Sequence, residues 1–211
     1  TSHIATISGL PGTGKSILAG HVADVQFGDS KYFWHSFAKG QDISSFVIRL
    51  SQFLEYTGAV PRDQIPKYVY SSHEDADDRR RSANKVIEMF RLMLSLLRGK
   101  GYLLCLDNAD LIEHDELAPT FIDLLERECR GGGISALLIS DGAMDLLLTV
   151  RPLKIEGFSV DETKLLCELH GLPMSEGLVE KLHRETGGNP RLLTSACLRL
   201  QQTSDIGQQI D

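Results

Sequence analysis

The sequence predicts an α/β domain built on a parallel sheet and followed by a smaller helical domain. Three observations lead to this prediction. Strand-like apolar runs alternate with segments of helical periodicity over most of the chain. The central runs are almost continuously apolar, as in strands of a parallel sheet that is covered on both faces. After residue 157 only short helical patterns follow, and they are separated by Gly and Pro.

The elements follow in chain order from periodicity and from breaker residues. A strand at 4–7 leads into a glycine-rich turn, and a helix begins near Lys15. Further strands are predicted at 31–38, 102–107, 134–140 and 153–155, and further helices at 43–56, 83–97 and 116–130. Helical patterns recur at 161–169, 175–183 and 190–200, and the polar end is expected to fray over 201–211. The predicted domains are 1–157, which is α/β, and 158–211, which is helical.

The most specific motif lies between the first strand and the first helix. Residues 9–16 read Gly-Leu-Pro-Gly-Thr-Gly-Lys-Ser, the full G-x-x-x-x-G-K-[ST] pattern. Its backbone N–H groups and the helix N-terminus form a concavity for anions, which suits the phosphates of a nucleoside triphosphate. Lys15 is expected to reach the β- and γ-phosphates from an exposed position above the loop. The predicted nucleotide contacts are Gly9, Pro11, Gly12, Thr13, Gly14, Lys15, Ser16 and Ile17.

Acidic residues follow the buried strand at 102–107. The strand ends in Asp107, and Asp110 lies one turn further on. Asp107 is predicted to hold the water shell of a Mg²⁺ ion to which the Ser16 hydroxyl is a ligand. Asp110 is the candidate for orienting or deprotonating an attacking water, and its alternative role is a helix cap or turn residue. The predicted catalytic residues are therefore Lys15, Asp107 and Asp110.

Composition narrows the class of protein. The 211 residues are 42% hydrophobic, which suffices for a sizeable core, and the net charge of −7 argues against broad non-specific nucleic-acid binding. Four widely spaced cysteines form no C-x-x-C pair, so buried thiols in a reducing cytosol are expected. No apolar run is long enough to span a membrane, so we expect a cytoplasmic protein. No histidine pair suggests a zinc site. The start at Thr1, almost directly at the first strand, suggests a domain of a longer protein.

Four blocks resemble the AAA+/STAND branch of P-loop ATPases. They are residues 9–16, 103–110, 134–140 and 187–193, the last of which reads Gly-Gly-Asn-Pro-Arg-Leu-Leu. The acids at 107 and 110 are similar to those of the NACHT group. The resemblance implies a P-loop NTPase parallel sheet in the order 5-1-4-3-2, flanked by helices and followed by a helical lid, with ATP or ADP and Mg²⁺ as ligands. It also implies that Pro190 lies against the nucleotide and that Arg191 is the lid arginine.

A physical argument supports the role of Arg191. A guanidinium delivered from a movable lid to the γ-phosphate favours ATP over ADP, because only ATP presents that charge. The alternative is a solvent-exposed residue at a helix start. The chain departs from the family pattern at Ser140-Asp141, where related proteins tend to place an arginine. The resemblance also places Arg127 and Arg130 where AAA+ assemblies often present an arginine to the next subunit.

The leading interpretation is the ATP-binding and slowly hydrolysing switch module of a STAND-type signalling or defence ATPase. Its nucleotide state is expected to control lid angle and self-oligomerisation, with effector and sensor domains elsewhere in the same chain. The alternative is an AAA+ ATPase that acts on nucleic acid as a loader, initiator or transposition helper, which the three arginines at 79–81 fit loosely. A nucleotide-gated module that does not hydrolyse ATP is a further alternative. A small-molecule kinase is disfavoured because the lid segment holds few arginines.

Overall fold

A five-stranded sheet forms the centre of the computed structural model, which describes residues 3–28, 31–64, 76–146 and 150–208. The strands are β1 (Ile4–Ser8), β2 (Tyr32–Ser36), β3 (Leu103–Asp107), β4 (Ser135–Ser140) and β5 (Leu153–Lys154). Their order is β2-β3-β4-β1-β5, and the pairings of β1 with β4, β4 with β3 and β3 with β2 are parallel. Taken from the other edge, this is the predicted order 5-1-4-3-2, so the predicted sheet is confirmed.

The helices in the described part of the chain match the predicted ones in number and order. They are α1 (Lys15–Phe27), α2 (Ile43–Thr57), α3 (Ala76–Leu97), α4 (Ala118–Arg130), α5 (Val160–Leu169), α6 (Glu176–Thr186) and α7 (Pro190–Gln208). Most helix boundaries differ from the prediction by a few residues at most, and two differ by about two turns. Helix α3 takes in part of the charged run before Ala83, and α7 continues through the polar residues 201–208, which were expected to fray. No proline interrupts either extension, and Gln and Arg are good helix formers.

Helix α2 shows how the local sequence sets an element. The Asp42 side chain accepts the Ser45 N–H at 2.9 Å and so caps the first turn. The apolar spacing that predicted the helix places one face in the core, and its buried members are Ile43, Phe46, Val47, Leu50 and Leu54. Gly58, with a φ of 62°, ends the helix in the left-handed conformation.

Contacts between residues divide the chain into two compact units. One comprises Thr1–Ser8 and Ser16–Leu153, and the other comprises Gly9–Lys15 with Lys154–Asp211. In the first unit, α3 packs against both α2 and α4, and α4 contacts β1 and β4. In the second unit, α5, α6 and α7 pack pairwise. The glycine loop therefore belongs to the compact unit of the C-terminal helices, while the domain boundary near residue 157 stays a prediction.

Burial and length bear on two further expectations. All four cysteines are buried and unpaired, as predicted. Burial raises the pKa of both Cys105 and Cys129 to about 12, so these thiols stay protonated at neutral pH. Within the described residues, no helix combines the length and apolarity that a bilayer crossing requires.

An aromatic cluster joins β2 to the helices of the first unit, and it encloses a histidine. The His35 ring lies 4.6 Å from the Phe37 ring and 5.3 Å from the Phe46 ring, measured between centroids. His35 is 2% exposed, and neither ring nitrogen has a hydrogen-bond partner among the described residues. Burial, with a smaller contribution from the Arg49 charge, lowers the pKa of His35 to about 4. The ring is therefore neutral in the folded protein.

We expect the protein to lose stability as the pH falls from about 6.5 towards 4, because below 6.5 the unfolded state protonates His35 first. The free energy of unfolding should drop by about 2 kcal/mol between pH 7 and pH 5 from this group alone. Urea unfolding measures it. His35→Phe should lose this part of the pH dependence, and a substitution of the exposed His21 by Gln should keep it. Equal pH dependence in wild type and His35→Phe would contradict the assignment.

Candidate functional site

The loop between β1 and α1 is shaped by its glycines. Gly9, Gly12 and Gly14 have φ angles of 156°, 87° and 93°, which L side chains rarely adopt. A Cβ at Gly9 would lie 2.3 Å from the Ile155 carbonyl oxygen. A Cβ at Gly12 would lie 2.9 Å from Asn189 Oδ1. Glycine is therefore required at residues 9 and 12 for its conformation and for the close approach of other chain segments.

Lys15 is enclosed by the loop that precedes it. Its Nζ donates to the Gly9 carbonyl at 2.7 Å and to the Leu10 carbonyl at 3.0 Å. The Thr13 hydroxyl donates to the same Leu10 carbonyl at 2.9 Å. Lys15 is only 7% exposed, so the predicted exposed position is wrong. The physical reason is that loop carbonyls turn towards the ammonium and solvate it in place of water.

The start of α7 lies against this loop within the same compact unit. The Asn189 side-chain amide donates to the Pro11 carbonyl at 2.8 Å. The Arg191 backbone N–H donates to the Gly12 carbonyl at 3.3 Å. The structure thus brings Arg191 to the loop, with its side chain exposed, while Pro190 is half-buried at the first position of α7. Asn189 was not among the predicted site residues, although a polar residue directly before a proline at a helix start is a capping signal.

In the first compact unit, Asp107 accepts hydrogen bonds from two hydroxyl groups. The Ser16 hydroxyl lies 3.0 Å from Oδ1 and 3.1 Å from Oδ2, and the Ser36 hydroxyl donates to Oδ2 at 3.0 Å. The Asn108 N–H adds a bond to Oδ1 at 3.1 Å. Asp107 is 8% exposed, so these donors replace the water that a buried carboxylate loses. Ser16 and Asp107, which were predicted to share a Mg²⁺ ion, are therefore in direct hydrogen-bond contact.

Ser36 is a second residue of this site that was not predicted. It closes β2, and the parallel register of β2 with β3 places it opposite Asp107. A hydroxyl residue at the end of a strand was visible in the sequence, but the sequence does not show which residue of β2 lies beside Asp107. Ser36 also accepts a hydrogen bond from Trp34 Nε1 at 3.2 Å, which orients its hydroxyl towards the carboxylate.

Asp110 lies in the 3₁₀ turn Ala109–Ile112. Its Oδ1 accepts the Asp141 N–H at 3.2 Å, which joins this turn to the loop after β4. One turn further on, Glu113 Oε1 accepts the Asp145 N–H at 2.7 Å in the same manner. Asp110 does not occupy the cap position of the turn, so the alternative that remains for it is a turn residue.

Two polar residues near these acids are engaged by the backbone. Asn108 has a φ of 54°, which is unusual without glycine, and its amide donates to the Phe37 carbonyl at 3.1 Å. The buried Ser140 hydroxyl donates to the Gly142 carbonyl at 2.5 Å. Both side chains therefore hold loops at the carboxyl ends of β3 and β4.

The two arginines at the end of α4 are paired along their own helix. Arg127 forms an ion pair with Asp123, and Arg130 forms one with Glu126. Each pair has the i,i+4 spacing of helix ion pairs, and both arginines lie in the last turn, where the helix dipole also favours them. A contact to a neighbouring subunit would have to compete with these pairs.

The side-chain oxygens of Ser16 and Asp107 suit a small, hard cation. In the described ranges there is no group of three or more His, Cys, Asp or Glu that could hold a metal. A metal held by the adjoining Ser16 and Asp107 side chains would take the Ser16 hydroxyl directly and Asp107 directly or through water, and its other ligands would be phosphate and water oxygens. Such oxygen ligands are those that Mg²⁺ prefers.

Solved structures share this architecture. The chain aligns with a STAND ATPase with a tetratricopeptide repeat sensor from Pyrococcus horikoshii at 16% identity and a TM-score of 0.59, over 90% of this chain and 26% of that one. It aligns with Cdc6p from Pyrobaculum aerophilum at 18% identity and a TM-score of 0.57, over 95% of this chain and 56% of that one. The Aeropyrum pernix Orc1 protein in complex with DNA aligns at 14% identity and a TM-score of 0.55, over 98% of this chain and 55% of that one.

These alignments show the fold. The chain spans about a quarter of the length of the STAND ATPase and a little over half of the other two proteins. A scan of protein-family models and a search of curated proteins find no match. Because a STAND ATPase, Cdc6p and an Orc1 protein match it with similar TM-scores, the fold does not choose between them. The chain has the P-loop NTPase fold.

Proposed function

We propose that the chain binds ATP or ADP with Mg²⁺ and hydrolyses ATP slowly, as the switch module of a STAND-type signalling or defence ATPase. One observation carries the proposal. The glycine loop holds the Lys15 ammonium among its carbonyls, and the next residue, Ser16, donates to the buried Asp107. A purely structural loop does not need a buried ammonium. A site for a polyphosphate with its metal ion needs both the lysine ammonium and the pair of Ser16 and Asp107.

The loop supplies charge and hydrogen bonds for the phosphates. Lys15 exchanges its two carbonyl partners for β- and γ-phosphate oxygens, and a hydrogen bond between two charged groups is stronger than the bonds it gives up. Gly12, Thr13 and Gly14 supply backbone N–H groups, and the first turn of α1 adds its unpaired donors. Ile17, which is exposed in that turn, borders the phosphates through its backbone.

Ser16 and Asp107 form the metal half of the site. Ser16 ligates Mg²⁺ through its hydroxyl, and Asp107 orients the water shell of the ion. When held by these two residues, Mg²⁺ would supply neutralisation of the phosphate charge. Ser36 holds the second carboxylate oxygen of Asp107, so the carboxylate keeps its orientation whether or not the ion is present.

Asp110 is the proposed residue for the attacking water. The turn that carries it begins directly after Asp107, and its bond to the Asp141 N–H occupies Oδ1. Oδ2 then serves to orient or deprotonate water. Slow turnover is consistent with a switch, in which the bound state has to persist longer than a catalytic cycle of a metabolic enzyme.

The lid contributes Pro190 and Arg191. The Arg191 guanidinium recognises the γ-phosphate, so ATP and ADP stabilise different positions of the lid. An energy difference of a few kcal/mol suffices to move such a population. The ATP state then permits self-association, and the effector and sensor domains lie elsewhere in the same longer chain. The STAND ATPase that matches the fold is about four times as long as the segment it shares with this chain.

A second candidate is an AAA+ ATPase that acts on nucleic acid. The matches to Cdc6p and to an Orc1 protein in complex with DNA favour it. The net charge of −7 opposes it, and the side chains of Arg79 and Arg80 lie outside the described residues. ATP turnover that DNA stimulates, with a steep dependence on salt, would select this function over the switch.

Lys15→Ala should abolish stabilisation by ATP with Mg²⁺. In the wild type, a ligand concentration 100-fold above Kd should add about 2.7 kcal/mol to the free energy of unfolding. Because Lys15 is buried, the variant is compared with and without nucleotide by thermal unfolding, so that any intrinsic loss is subtracted. Lys181→Ala, at an exposed lysine of α6, is the matched control and should respond like the wild type. Strong stabilisation of Lys15→Ala by ATP would contradict the site.

Asp110→Asn should lower the single-turnover rate of ATP hydrolysis about 100-fold or more and leave the ATP affinity nearly unchanged, because the substitution removes a general base but no phosphate contact. Glu113→Gln is the matched control, since this carboxylate accepts a loop N–H in the same way. An unchanged rate in Asp110→Asn, or an equal loss in both variants, would remove the catalytic role of Asp110.

A further inference from the structure

The Asn189 side chain bonds to two segments of the chain at once. Its Oδ1 accepts the N–H groups of Arg191 at 3.1 Å and Leu192 at 3.3 Å, so it caps the first turn of α7. Its Nδ2 donates to the Pro11 carbonyl of the phosphate loop at 2.8 Å. Backbone N–H groups only donate, so the oxygen has to face the helix and the nitrogen has to face Pro11. The network therefore fixes the orientation of the amide.

The bond to Pro11 also determines where an N–H group of the loop points. Within a trans peptide unit, the carbonyl and the following N–H point in opposite directions. Since the Pro11 carbonyl faces Asn189, the Gly12 N–H faces away from α7. The next carbonyl, of Gly12, accepts the Arg191 N–H at 3.3 Å and is held towards α7 as well. The start of α7 thus holds two successive loop carbonyls on one side of the loop.

The close approach depends on Gly12 having no side chain. A Cβ there would lie 2.9 Å from Asn189 Oδ1 and 3.0 Å from Arg191 Cβ. Both distances are too short for ordinary packing, so the loop and α7 meet at the backbone itself. The contact is consequently sensitive to small displacements of either segment.

We propose that Asn189 is a positioning residue for nucleotide binding: it holds the Pro11–Gly12 peptide so that the Gly12 N–H is presented to phosphate, and it ties that peptide to the cap of α7. This inference rests on the proposed nucleotide site. Because Asn189 acts through a peptide group and not through the γ-phosphate, it supports ATP and ADP equally. A change in the loop on nucleotide binding then reaches α7 through its cap, independently of the Arg191 guanidinium.

Asn189→Ser separates the two roles of this side chain. Serine still caps a helix but is too short to donate to Pro11. We expect faster hydrogen exchange at the amides of residues 12–15 in the nucleotide-free protein, with α7 amides unchanged. We also expect ATP and ADP affinities, measured by calorimetry with Mg²⁺, to weaken together by about tenfold, the size of one lost hydrogen bond. Arg191→Ala, by contrast, should change the ratio of the two affinities.

Ser159→Ala is the matched control, because Ser159 caps α5 in the same compact unit and its hydroxyl accepts the Glu162 N–H at 3.2 Å. This variant should leave loop exchange and nucleotide affinity unchanged. Unchanged loop exchange in Asn189→Ser, or an equal effect of Ser159→Ala, would overturn the proposal.

A second variant and a measurement without nucleotide cover the two ways in which this experiment could fail. If Asn189→Ser does not fold, Asn189→Asp provides the exchange measurement, since aspartate is a strong helix cap and also lacks the donor. If the wild type binds neither ATP nor ADP, the proposed function fails, yet the exchange comparison without nucleotide still decides whether Asn189 holds the loop.

Discussion

The hydrogen bonds of the Asp107 carboxylate are the interaction on which the arrangement of the candidate residues in the first unit depends. The carboxylate is almost fully buried, and a charge in that position requires donors to replace water. Two of them are hydroxyls from distant parts of the chain, Ser16 at the start of α1 and Ser36 at the end of β2. They can meet there only because parallel strands bring their carboxyl ends to one edge of the sheet. The register of the sheet therefore determines which hydroxyl group reaches the Asp107 carboxylate.

In the second unit, close contacts of the loop backbone with the start of α7 hold the candidate residues in place. The phosphate loop is held by the start of α7 through carbonyl groups, and glycines permit the contact. Affinity for phosphate in such a loop comes from N–H groups that are already oriented before the ligand arrives, so whatever fixes the peptide planes contributes to binding. This gives the Gly-Gly-Asn-Pro segment a function beyond ending one helix and starting the next.

Much of this arrangement could be predicted from the sequence, because the motifs carry their own context. The glycine pattern and the apolar strand before Asp107 predicted the loop and the position of the acid, and the resemblance to P-loop ATPases predicted the strand order. The sequence could not show that the loop carbonyls enclose Lys15, since that depends on how the chain folds back on itself. Ser36 and Asn189 were missed for a related reason: register decides what lies beside Asp107, and tertiary approach decides what lies beside Pro11.

The backbone at Asn108 adopts a left-handed conformation directly beside the buried carboxylate of Asp107. A left-handed conformation without glycine costs about 1 kcal/mol or more, and here the bond to the Phe37 carbonyl retains it. Evolution towards higher thermal stability would readily replace this residue by glycine, which relaxes the strain. The same exchange would free the turn that carries Asp110. Relaxing the backbone at residue 108 would therefore remove the side chain that ties this turn to the Phe37 carbonyl.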